Sequence, residues 1–252
     1  MPMTVNVRSV AKQVKFKDVK MILGFLRLPI VFDLLHLSFF RHLGPHVIGE
    51  RDNVSEYTGA DLTGRIDFKR GTKNTVRIGA GSKVPGKITI EGSANTVNIG
   101  KKCIFRGDIL IKGNNQSVTI GDHTTTGGGT YILCSEDCAV HIGHHCMLSR
   151  EIEIRTTDAH ALIDRKTATR INPAASVRIG DHVWIGVRSI ITKGAVVPTD
   201  TTIGAMSFVN GQFDEESTVI AGVPAKVIRR DTTWSRGRRP RIKLAKIDAW
   251  RR

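Results

Sequence analysis

Residues 179–209 read IGDHVWIGVRSIITKGAVVPTDTTIGAMSFV, and a bulky aliphatic recurs at every sixth place. Ile179, Ile185, Ile191, Val197, Ile203 and Val209 keep strict hexad spacing. Four places after each of the first five stand Val183, Ser189, Ala195, Thr201 and Ser207, all small or β-branched. Six residues suffice for one short strand and one turn. Three such units close a triangular coil, and stacked coils lay aliphatic over aliphatic. The period therefore predicts a solenoid with a continuous apolar interior.

The pattern extends upstream in a longer form. KRGTKNTVRIGAGS, IEGSANTVNIGKKC, IKGNNQSVTIGDHT and CSEDCAVHIGHHC align on Ile78, Ile99, Ile120 and Ile142, spaced 21, 21 and 22. Apolar residues alternate within each unit, as in Val97/Ile99 and Ile109/Ile111, which is strand periodicity. GSAN at 92–95 and GNNQ at 113–116 supply turn residues that tolerate positive φ. These repeats fit as the same coil with extra residues at one corner. Sparse aromatics (6%) and 25 glycines suit short strands and tight turns better than a helical bundle.

One segment breaks the rhythm. Ile111 leads to Val118 in seven residues, but the equivalent Ile154 reaches Val177 only after 23, so sixteen extra residues leave one corner near Asp158–His160. A long excursion on a rigid scaffold is a place for function. It carries the cations Arg165, Lys166 and Arg170 away from the coil. At its root, His160 carries the side chain best tuned to take a proton from a weakly nucleophilic hydroxyl near neutral pH. Asp158 is a candidate to orient that ring. Trp184, between interior Val183 and Ile185, should point outward, where an indole can cover a bound group by stacking.

The four cysteines (Cys103, Cys134, Cys138 and Cys146) form no CxxC pair and follow no secretory signal, so a reduced, cytoplasmic protein is expected. Cys103 and Cys146 fall at the small interior place of the hexad. His123, His145 and His182 each follow an anchor isoleucine by three and should share one corner. A zinc site and plain turn positions both fit that column; the turn reading is preferred and no metal is expected. The net charge of +15 is concentrated at the ends: +4 in residues 1–50, +8 in 229–252 and +3 between. Such ends are either solvated or attract a polyanion or an acidic membrane surface. Met21–Phe40 is the most apolar stretch, interrupted by Arg27, Pro29, Asp33 and His36, and reads as a packed or interfacial helix rather than a membrane span.

The hexads, with IGDHVWIG at 179–186 and AGVPAKVIR at 221–229, resemble those of the hexapeptide-repeat acyltransferases. The nearest likenesses are the galactoside and xenobiotic O-acetyltransferases and the polysialic-acid and capsule O-acetyltransferases, over about residues 70–230. The resemblance implies an all-β, left-handed parallel β-helix in a homotrimer with sites between neighbouring subunits. It also implies acetyl-CoA as co-substrate, and a loop histidine as general base with a tryptophan following at a similar separation. His160 and Trp184, 24 residues apart, match that pair. Cofactor contacts implied on the late coils fall on Trp184, on Gly204 and Ala205 for the pantetheine arm, and on Lys226 and Arg229 for the phosphates. Val187 and Asn210-Gly211 depart from the family at places where Ser and Thr-Lys are frequent.

The expected organisation is a helical extension (1–60), the β-helix (61–228) with its inserted loop (160–175), and a basic tail (229–252). The expected activity is O-acetylation of a carbohydrate hydroxyl, on a bacterial capsular, exopolysaccharide or lipopolysaccharide sugar, with an anionic polysaccharide suiting the basic ends. The alternatives are N-acetylation of an amino sugar or nucleotide sugar, and a non-catalytic scaffold. Peripheral contact with the inner membrane face is a further expectation, and nucleic acid is not an expected partner.

Overall fold

The computed structural model describes residues 46–238 and 241–251. The Met21–Phe40 helix and the membrane contact expected of it lie outside these residues. Three sheets of eight, seven and six strands, parallel except for the last strand of the third, form the sides of a triangular β-helix. Along the first sheet Ile66, Ile88, Ile109, Ile132, Ile154, Ile191 and Val209 stack one over the next. Along the second, Ile78, Ile99, Ile120, Ile142, Ile179 and Val197 do the same. Leu148, Ile185, Ile203 and Ile220 form the third column. All eleven hexad positions from Ile179 to Val209 are buried.

Three columns of branched aliphatics leave little room to relax. Ile132, fully buried between Ile109 and Ile154, is therefore a sensitive position. Ile132→Ala should cost about 3 kcal/mol of stability, read by chemical denaturation.

The corners follow from backbone sterics. Lys102, His123, His145 and His182 stack at one corner with φ of 53°, 60°, 58° and 52°. Asn, Asp and His tolerate this left-handed conformation best among residues with a side chain, which accounts for the histidine column. Beside it runs the glycine of each IG pair. A Cβ added to Gly121 would lie 2.6 Å from the carbonyl carbon of Gly143 in the next coil. The corner between the first and second sheets carries an asparagine ladder instead. The amide of Asn95 donates to Asn74 Oδ1 (3.0 Å) and to the Gly113 carbonyl (2.9 Å).

Coil stacking starts earlier than residue 61, since Val47–Ile48 and Val54–Glu56 already pair in parallel with Arg65–Arg70 and Thr75–Ile78. It ends in an antiparallel hairpin of Val219–Gly222 and Ala225–Arg229. The segment beyond Arg229 is not merely a solvated tail: it folds back on the histidine corner and buries Trp234. All four cysteines are buried free thiols. Burial pushes Cys134 and Cys146 up to about 12, which keeps both thiols unreactive. Among the described residues no helix is long and apolar enough to cross a membrane.

Candidate functional site

The coil register survives the excursion, because Val140 pairs with Val177 directly above it. Thr156 and Thr157 are buried, and the chain becomes exposed from Asp158 onward. The extra residues fold as an arm. Ile163 and Arg170 pair antiparallel, and the Asp164 carboxylate closes the tip by accepting the Lys166 and Thr167 amides at 2.8 Å.

The root of the arm is tied by Asn172. Its side-chain amide donates to Asp158 Oδ2 (2.8 Å) and to the His160 carbonyl (2.9 Å), while Oδ1 accepts the Leu162 amide (2.6 Å). Lys193, at the same corner of the next coil, donates to Asp158 Oδ2 (2.5 Å) and to the Asn172 carbonyl (3.2 Å). Glu136 on the preceding coil accepts from the Thr157 hydroxyl and from the Arg170 guanidinium. These donors hold both carboxyls below their ordinary range: Lys193 then Asn172 act on Asp158, and Arg170 then Thr157 on Glu136.

His160 is thus exposed on a backbone fixed from both ends, and its ring has no hydrogen-bond partner among the described residues. Asp158 spends its carboxylate on Lys193 and Asn172 rather than on that ring. Arg165 and Lys166 are exposed at the tip, whereas Arg170 is tied to Glu136. Trp184 points outward from the third sheet, 36% exposed, with its indole N–H 3.4 Å from Ser149 Oγ. The ring of Trp234 stands 6.1 Å away, tilted by 44°.

The arm leaves the corner between the first and second sheets, and in a triangular coil that corner lies opposite the third sheet. His160 and Trp184 therefore belong to different sides of one chain. Gly204 and Ala205 form the turn after Thr202–Ile203 in the third sheet. Lys226 and Arg229 are exposed on the terminal hairpin without ion-pair partners among the described residues, while neighbouring Arg230 pairs with Glu215. Free cations there fit the phosphates of a nucleotide-bearing acyl donor.

Sequence reading did not find Asn172, Glu136 and Lys193, which make the knot. Glu136 and Lys193 are 21 to 35 residues from the groups they hold. Only folding of the coils brings them together, and no local spacing announces it. The histidine column does not converge: His123 and His145 stack at 4.8 Å, while His182 binds Asp200 at 2.8 Å. Among the described residues no three metal-ligating side chains gather.

No protein-family model matches the chain. Over 112 residues, 44% of its length, the chain is 35% identical to the polysialic acid O-acetyltransferase of Escherichia coli O1:K1 / APEC. It is 33% identical over 112 residues to the polysialic acid O-acetyltransferase of Neisseria meningitidis. These matches cover 36% and 52% of the two relatives, so the chain spans about a third to a half of their length. The crystal structure of the polySia-specific acetyltransferase NeuO superposes with a TM-score of 0.68 at 28% identity. That superposition covers 76% of the present chain and 82% of the other. The solenoid is accordingly the left-handed β-helix of the hexapeptide-repeat acetyltransferases, and the homologues of the chain are O-acetyltransferases.

Proposed function

We propose that the protein moves an acetyl group from acetyl-CoA to a hydroxyl of an acidic polysaccharide, with His160 as general base. The observation that carries this reading is an exposed imidazole free of ring partners among the described residues, on a backbone locked by Asn172, Asp158 and Lys193. A base must be held in place yet keep its lone pair for the substrate. The two polysialic acid O-acetyltransferases among its relatives supply the acceptor class.

The chemistry follows from these groups. His160 takes the proton of the acceptor hydroxyl as its oxygen attacks the thioester carbonyl. The tetrahedral oxyanion collapses, the carbon–sulfur bond breaks, and the proton passes from the imidazolium to the departing thiolate. Lys226 and Arg229 hold the donor's phosphates, and Trp184 covers the reacting end.

Because the arm and the Trp184 face occupy opposite sides of one coil, a complete site takes His160 from one subunit and Trp184 from its neighbour. That arrangement favours a closed homotrimer. The test is an acceptor screen with acetyl-CoA, reading free-thiol release and product mass for matched hydroxyl and amino sugars. Faster acetylation of the amino sugars would overturn the O-transfer reading. Absence of any acetyl transfer would overturn the enzymatic one.

A further inference from the structure

The C-terminal segment encloses a cleft of about 640 Å³ against the histidine corner. Residues 229–252 hold ten Lys/Arg and two acids, and the cleft takes the basic share only. Arg236, Arg241, Lys243 and Lys246 line it, and among the described residues no Asp or Glu does. Arg241, Lys243 and Lys246 are exposed and have no ion-pair partner among the described residues.

The cleft is built rather than draped. Trp234 is buried and donates its indole N–H to the His182 carbonyl (2.7 Å). The Arg236 guanidinium donates to Thr125 Oγ1 and to the Cys146 carbonyl, both at 2.7 Å, and so anchors the segment to two earlier coils. Trp250, also on the wall, keeps a buried indole N–H without an acceptor among the described residues.

The kind of anion follows from the aromatic faces. Trp234 and Trp250 both stack on His182, at 4.5 and 4.4 Å. Arg236 lies over Trp234 and Arg251 over Trp250. A nucleobase needs an open π-face, and single-stranded nucleic acid needs several in a row. Neither indole offers one, so what remains is an array of cations. We propose that this cleft is a second binding site, one that holds the carboxylate groups of an acidic polysaccharide chain. It lies beside the Trp184 face, to which Trp234 is the direct neighbour. The identity of its ligand rests on the acceptor class proposed above, but binding here needs no acetyl donor.

The test is equilibrium binding by the full chain, without acetyl-CoA, to a homopolymer of a carboxylated sugar, to neutral dextran and to an oligothymidylate. Wild type should prefer the acidic polymer, with affinity falling as salt rises. The triple variant Arg241→Ala, Lys243→Ala, Lys246→Ala should bind it at least about tenfold more weakly, with a shallower salt dependence. Trp234→Ala keeps every cation but releases the segment, and should lose affinity as well. Unchanged affinity in either variant overturns the site, as does equal binding of dextran or tighter binding of the oligothymidylate. Displacement of the polymer by acetyl-CoA would make the cleft a donor site and overturn it too. Polymer binding as expected but without acetyl transfer would leave the cleft standing and sink the catalytic reading instead.

Discussion

His160→Ala is expected to lower kcat by about 10²- to 10⁴-fold, the range in which a positioned general base acts. The KM for acetyl-CoA should stay within about threefold of wild type, since no donor contact is lost with the imidazole. The unfolding transition should not move: His160 is exposed, and the knot holds its backbone carbonyl rather than its ring. Steady-state kinetics with a denaturation curve on the same preparation separates these readouts. Turnover within about tenfold of wild type would remove His160 from the role of base.

Mixing two inactive chains should restore activity. Trp184→Ala is expected to lose at least about tenfold in kcat/KM, since an exposed indole at a reacting face contributes chiefly by covering the bound groups. In every closed trimer that holds both Trp184→Ala and His160→Ala chains, one of the three subunit interfaces would unite an intact His160 with an intact Trp184. The doubly purified mixed trimers should therefore recover about a third of wild-type turnover. If both residues acted within a single chain, every site would lack one of them and mixing would restore nothing. The experiment needs only co-expression with two tags and a rate measurement on the doubly purified fraction. It distinguishes the shared site from a single-chain one.

The solenoid was legible because its rule is local and repeated. Ile179 predicts Ile185, and that prediction is checked again at every coil, so one misplaced residue would have shown. The point of exit at Asp158 was legible for the same reason, as a departure from a known register. The knot was not. Asn172 closes back on residues 12 and 14 positions earlier, and Lys193 reaches Asp158 across one coil. Such bonds depend on which corners lie over one another, and a period does not state that. The tail's charge was legible but its docking was not, because Trp234 and Trp250 pack on a turn histidine selected for its backbone conformation.

The uninterrupted pairing of Val140 with Val177 has a thermodynamic consequence. Loop-closure entropy grows only with the logarithm of length. Lengthening this connection from seven to 23 residues costs about 1 kcal/mol on that scale. The aliphatic columns do not register the change. A coil corner is thus a socket into which acceptor-facing segments of different length can be fitted. The arm can change in length while the part of the chain that keeps it folded stays as it is.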